Sequence, residues 1–205
     1  MDVNYIKKLL NLISNIMCEN KEKLIEMDSI VGDGDLGLTM SDGFKAAYEA
    51  IKDSNETDIG RMLYFAGKAM STAVPSTMGT LMASGLMNAG KELRGKTELD
   101  NEGLYQLFKA YEDGVANRGK AKIGEKTFLD GLHPAVEVLS NNDKPLYELA
   151  KDAYNASKEG YENTSTMLAV HGRAATRGEA SRTLKDPGAY VATLIMEAFL
   201  KSVVS

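Results

Sequence analysis

The sequence predicts an all-α fold, an antiparallel bundle of eight amphipathic helices. Two observations carry this. Apolar residues recur at three- and four-residue spacing through most of the chain, and no stretch alternates with period two long enough to make a strand. The joints between the apolar stripes are mostly short, as an antiparallel bundle requires. The 205 residues, 43% hydrophobic and 26% charged, suit a single domain spanning 1–205 with one sizeable core.

The first helix carries Val3, Ile6, Leu9, Leu10, Ile13, Ile16 and Met17 on one face. The second begins after the glycine-rich stretch 32–37 and runs through Phe44, Tyr48 and Ile51. The third has Thr57 as N-cap, followed by Ile59, Met62, Leu63, Ala66 and Met70. The fourth, Thr80 to Leu93, is rich in Met, Ala and Gly. The fifth starts at Asp100 and carries Leu104, Leu107, Phe108, Tyr111 and Val115. The sixth covers Thr127 to Leu139, and the seventh starts near Pro145 and extends towards Val170. The eighth has Asp186 as cap and Pro187 at its first position, then an apolar run to Val204.

A net charge of −5 argues against non-specific nucleic-acid binding, which needs a basic face. The N-terminal segment lacks the pattern of a signal peptide, and no apolar run approaches the ~20 residues of a membrane helix. A cytoplasmic protein with no membrane and no nucleic-acid partner is expected. Cys18, the one cysteine, has no intrachain disulfide partner and is expected as a small core residue. Two histidines and one cysteine argue against a zinc site. His133 is expected to be structural or exposed. His171 could approach an anion, but no carboxylate in its sequence neighbourhood orients it. The methionines fall at core spacing.

Three segments exceed what a minimal bundle needs: Gly32–Gly37, Asn117–Lys126 and His171–Lys185. Around the first, Asp28, Asp33 and Asp35 lie within eight residues. Bringing these carboxylates together costs Coulomb repulsion, which a cation would offset. Hard oxygen ligands suit Mg²⁺, and the helix that follows offers free N–H groups to an anion. The same residues also suit a solvated acidic turn, because Asp-Gly is a turn signal by itself. A calcium EF-hand loop starting at Asp33 fails, with Leu38 at its sixth position and Phe44 at its twelfth. The other two segments add cations beside flexible backbone: Arg118, Lys120 and Lys126 in one, and Arg173, Arg177, Arg182 and Lys185 in the other.

The motifs Asp28…Gly32-Asp33-Gly34-Asp35, Asn117-Arg-Gly-Lys-Ala, Gly124-Glu-Lys-Thr, Gly172-Arg-Ala and Asp186-Pro-Gly-Ala occur in this order. In order and spacing the chain resembles the nucleotide-binding L subunit of dihydroxyacetone (glycerone) kinase, over nearly its whole length. The resemblance implies a barrel of eight amphipathic helices with nucleotide bound among the loops at one end. It implies that Asp28, Asp33 and Asp35 coordinate two Mg²⁺ ions bridging the phosphates of ADP or ATP. Leu36, Gly37, Leu38 and Thr39 would face the phosphates, and Gly119 and Phe128 would border the adenosine. Arg173 would contact phosphate and act with the aspartates in catalysis. Asp186, Pro187 and Gly188 would close over the nucleotide. Position 36 is Leu where the best-known L subunits have His. The family's Ser-Gly pair before the glycine matching Gly79 is also absent: ungapped, its Ser falls on Val74. Ser76 or Thr77 takes that role if the loop shifts locally.

The resemblance further implies a kinase subunit that passes phosphate through Mg-bound nucleotide to a hydroxyketone held on a separate K subunit. A phosphohistidine on a phosphotransferase-system M subunit would recharge the nucleotide. The length accommodates only the nucleotide domain, so the chain is not expected to phosphorylate a sugar alone. The alternative is a nucleotide-dependent regulatory module that contacts a transcription regulator without turnover of its own. A homodimer is compatible with either reading, and the final acceptor stays open.

Overall fold

The computed structural model describes residues 1–141 and 143–204. All eight expected helices are present. In chain order they are α1 (Val3–Glu19), α3 (Leu36–Glu49), α4 (Ile59–Ala73), α5 (Thr77–Glu92), α6 (Asn101–Gly119), α7 (Phe128–Leu139), α8 (Leu146–Asn163) and α9 (Pro187–Val204). One more, α2 (Lys21–Val31), occupies a stretch in which the sequence pattern shows no helix.

Each ring helix packs on the next, in the order α1, α3, α4, α5, α6, α7, α8 and α9, and α9 returns to α1. The ring therefore closes with the eight helices that carry clear apolar stripes. α2 lies outside it, against α3, and buries only Leu24 and Val31. That is why its stripe is too sparse to read. The ring is filled by Ile6, Met40, Phe44, Met62, Met82 and Phe199, all essentially inaccessible to solvent. Phe108 and Phe199 meet edge-on with centroids 5.0 Å apart. The small residues of α5 let helices approach closely. A Cβ on Gly90 would lie 2.6 Å from the Gly60 carbonyl oxygen of α4. Cys18 is exposed rather than in the core, because it falls on the outer face of α1, beside buried Met17. α9 is apolar enough, over 18 residues, to meet the length and hydropathy of a membrane span. Its neighbours α1, α7 and α8 cover most of it, so its hydrophobicity is that of a core helix.

Local chemistry sets the ends of the helices. Asp2 caps α1, accepting from the Asn4 and Tyr5 N–H groups at 3.0 and 3.1 Å. Asp58, not Thr57, caps α4: its carboxylate accepts from Arg61 N–H at 3.0 Å, and its other oxygen from Gly95 N–H at 2.9 Å. α5 starts three residues before Thr80, because the Ser76 hydroxyl accepts from Gly79 N–H at 3.0 Å. Asp100 caps α6 through Gly103 N–H at 2.8 Å. α6 runs on to Gly119, so Asn117 and Arg118 belong to its last turn rather than to a loop. Thr127 and Asp130 form a capping box at the start of α7. α8 ends at Asn163, well short of Val170. The Thr164 hydroxyl there bonds back to the Tyr161 carbonyl at 2.6 Å, and a short 3₁₀ turn, Thr164–Thr166, follows. A strap then crosses to α9. It contains 3₁₀ turns over Arg173–Thr183, interrupted at Gly178. Asp186 caps α9 as expected, accepting from Ala189 N–H at 2.7 Å.

Candidate functional site: a cleft where four helices begin

One end of the ring opens into a cleft of about 840 Å³. α3, α5, α7 and α9 all start at its wall, contributing Leu36, Ser76 with Thr77, Thr127 with Phe128, and Pro187 with Gly188. Each helix N-terminus carries the positive end of a dipole and the first-turn N–H groups that its cap does not use, so four of them give an anion-attracting focus in an acidic protein. Arg118 and Gly119 line the cleft from the end of α6, and His171, Gly172 and Arg173 line it from the strap.

The three aspartates converge on this cleft. One carboxylate oxygen from each of Asp28, Asp33 and Asp35 lies within 4.8 Å of the others. Among the described residues this is the one such grouping of metal-ligating side chains. α2 ends at Val31 and delivers Asp28 from its last turn. The chain then reverses through Gly34, whose φ of +76° is left-handed. A Cβ at that position would also sit 2.6 Å from the Ser29 hydroxyl. Leu36 N–H, at the start of α3, donates to Asp28 at 3.2 Å, tying the two helix ends together. Burial raises the Asp35 pKa above the usual carboxylate value, and the neighbouring charges of Asp33 and Asp28 raise it further, with Arg173 opposing. The Arg173 guanidinium reaches Asp33 at 3.0 Å. Both groups are well exposed there, so the contact contributes little stability. Three convergent hard oxygens, with open space on the cleft side, fit Mg²⁺.

Most of the residues expected to form a site come together. Leu36, Ser76, Thr77, Gly119, Phe128, Arg173, Asp186, Pro187 and Gly188 line the same cleft as the aspartates. Gly37, Leu38 and Thr39 do not. Gly37 faces the backbone of α2, where a Cβ would meet the Lys21 carbonyl at 2.2 Å. Leu38 points to solvent, and Thr39 is buried with its N–H donating to the Asp35 carbonyl at 2.9 Å. The Ser76 hydroxyl already caps α5, so its spare capacity is as a donor. Burial raises the Asp186 carboxyl pKa to about 7, with Asp130 adding to the shift and the Ala189 N–H and Lys126 opposing it.

His171 does have an orienting carboxylate: its Nε2 lies 2.5 Å from Glu125 Oε2. The two are 46 residues apart, so local sequence gives no sign of the pairing. Glu125 is in turn held by Lys122 N–H at 2.7 Å. His133 sits away from the cleft, its Nδ1 2.8 Å from buried Glu112, which fits a structural role. Lys126, a loop cation by its sequence, lines the cleft wall although its side chain is almost wholly buried.

Residues 30–201 match the family model of the DAK2 domain. The chain belongs to this family. It is 32% identical over 204 residues to the ADP-binding subunit DhaL of PEP-dependent dihydroxyacetone kinase 1 from Listeria innocua, covering 100% of this chain and 98% of that protein. It is 31% identical over 191 residues to the Escherichia coli ADP-binding subunit DhaL of PEP-dependent dihydroxyacetone kinase, covering 92% of this chain and 91% of that protein. Among solved structures, the dihydroxyacetone kinase of C. freundii in complex with AMP-PNP and Mg²⁺ superposes with a TM-score of 0.72 at 20% identity. That match covers 96% of this chain and 33% of the other, so the DAK2-family ring corresponds to about a third of the longer enzyme.

Proposed function

We propose that this chain binds Mg–ADP or Mg–ATP in the cleft and serves as the phosphoryl-carrying subunit of a multi-chain dihydroxyacetone-type kinase. The observation that carries the reading is the juxtaposition of three convergent carboxylates with four helix N-termini. A metal-bound polyphosphate needs both, the carboxylates for the cation and the N–H groups for the anion. The names of the full-length relatives, ADP-binding subunits of PEP-dependent dihydroxyacetone kinases, agree with it.

In this reading Asp28, Asp33 and Asp35 hold two Mg²⁺ ions. Bound Mg²⁺ neutralises phosphate charge and aligns the phosphoryl group for in-line transfer. Leu36 N–H at the start of α3 holds one oxygen of Asp28 and leaves the other for a cation. Arg173 exchanges its contact with Asp33 for one with a phosphate oxygen, where a planar guanidinium binds well. Ser76 and Thr77 donate to phosphate from the start of α5. Gly119 and Phe128 border the adenosine, with Phe128 offering an apolar wall, and Asp186, Pro187 and Gly188 close over the nucleotide. Phosphate would arrive from a phosphohistidine of an M-type partner in the cytoplasm and leave to a hydroxyketone on a K-type partner.

The test is thermal unfolding with ADP, with and without Mg²⁺. A ligand that binds only the native state stabilises it by about 2.7 kcal/mol at a hundred times its Kd. We expect ADP plus Mg²⁺ to raise the melting temperature, and a chelator to reverse the rise. No shift at millimolar Mg–ADP would overturn the reading. Conversion of bound ADP to ATP by a phosphorylated cognate M subunit would establish the carrier role. Its failure in a protein that binds Mg–ADP would reject that role.

A further inference from the structure

We propose that Lys126 is a positioning residue whose buried ammonium group stands where a bound monovalent cation could sit, and fixes the strap 164–185 at the nucleotide cleft. Lys126 is only 3% exposed. Its Nζ donates to the Thr164 carbonyl at 2.7 Å and the Ser181 carbonyl at 2.6 Å, to that of Met167 at 3.3 Å, and to that of Leu184. An ammonium has three protons and no acceptor, so it is fully satisfied by this cage of four oxygens. No ion pair of Lys126 with a carboxylate occurs among the described residues. All four direct partners are backbone carbonyls, with the Asp186 charge acting from beyond ion-pair distance, an arrangement that resembles a cation site rather than a salt bridge.

The cage oxygens come from two places, 164–167 and 181–184. These bracket the strap segment that carries His171, Gly172 and Arg173 to the cleft. One ammonium therefore closes the base of that loop. Neighbouring bonds reinforce the same base. Ala169 N–H donates to the Ser181 hydroxyl at 3.1 Å, and Asp186 N–H to the Thr164 hydroxyl at 2.9 Å. Glu125, the residue before Lys126, holds His171 further along the strap. The backbone at Lys126 has a φ of +61°, a left-handed conformation unfavourable for a non-glycine residue. That cost is sustained where the side chain must turn inward to its cage. A strap loosened at its base would present Arg173 to phosphate only part of the time. The apparent Kd would rise by the inverse of the competent fraction.

The consequence for nucleotide rests on the function proposed above, whereas the consequence for the strap does not. The test therefore uses two readouts on the full chain. In ligand-free protein, trypsin should cut at Arg173, Arg177 and Arg182 about tenfold faster in K126M than in the parent, with the helical circular dichroism unchanged. In K126A, Mg–ADP affinity should fall about tenfold and recover in propylammonium, which replaces the deleted atoms, but not in tetramethylammonium. Parental protease resistance in folded K126M would overturn the proposal. So would faster cleavage with parental Mg–ADP affinity, because the lysine would then be structural only. If the parent fails to bind Mg–ADP, the functional reading falls while the proteolysis still decides the strap. If neither variant folds, the parent decides by nitrogen-15 NMR. Slowly exchanging Lys126 ammonium protons at neutral pH support the cage, and their absence overturns it.

Discussion

The two ends of the helical ring perform the same task, joining one helix to the next, and they perform it differently. At the end away from the cleft, aspartates and backbone bonds hold the joints before α4 and α6. Asp58 ties α4 to the turn at Gly95, Asp100 starts α6, and Met1 and Leu99 exchange two backbone hydrogen bonds at 2.7 and 2.8 Å. At the cleft end, six described residues take positive φ: Gly34, Lys120, Gly124, Lys126, Gly172 and Gly178. Away from it only Gly95 does, among the described residues. The cleft end also gathers three carboxylates whose mutual repulsion opposes folding. The difference teaches that stability resides in the ring and that unfavourable conformations and charges collect where a ligand would offset them.

The largest effect should come from the carboxylates. In the D33A/D35A double variant we expect Mg–ADP affinity to fall by at least about a hundredfold, or ~2.7 kcal/mol, by titration calorimetry. The ligand-free double variant should melt no lower than the parent, because the lost repulsion offsets the lost Arg173 contact. A lower melting temperature would show that these residues support the fold instead, and the contrast between the ends would fail.

The opposite pattern is expected in the ring. G90A places a methyl group against the Gly60 carbonyl where α4 and α5 meet. Overpacking of this kind costs about 1–3 kcal/mol, and urea unfolding should show it. Calorimetry on the folded fraction should return the parental affinity for Mg–ADP. Loss of both together would mean that the seam and the cleft are coupled.

How much of this was legible in the sequence follows the same division. The ring was legible because each of its helices buries a wide stripe, and eight stripes announce eight helices. α2 escaped because it lies outside the ring and buries two side chains. The aspartates were legible because they are neighbours in sequence, although their neighbours alone could not separate a metal site from a turn. Local sequence marks helix starts near Leu36, Thr127 and Pro187 but not their meeting at one cleft, and the Glu125–His171 pair and the Lys126 cage depend on contacts between residues 38 to 58 positions apart that nothing in their local sequence marks. Lys126 reads as an ordinary loop cation. Only the folded chain turns it inward.

A third, smaller effect probes the cleft's backbone. G34A forces a side chain into a left-handed conformation and against Ser29. The strain should cost about 1–2 kcal/mol. It should appear more in Mg–ADP affinity than in melting temperature, because the chain can relax locally when no ligand holds the aspartates together. An equal loss in both would place Gly34 with the ring glycines.

A fourth effect is spread over pH. In the folded protein the Asp186 pKa rises to about 7, from about 3.8 in an unfolded chain. A raised carboxyl binds more protons folded than unfolded, so its contribution favours folding fully below pH 3.8 and is lost progressively as pH rises through 7. Above that, the ionised carboxylate is carried at a cost that Lys126 and the Ala189 N–H only partly offset. D186N keeps an amide oxygen to cap α9, since Asn is as good a cap as Asp, and it cannot ionise. Urea unfolding at intervals from pH 4 to 8 should therefore show a downward slope in the parent that is shallower in D186N. Identical slopes would mean that Asp186 titrates as an ordinary surface carboxylate, and that the cleft end is less desolvated than its packing implies.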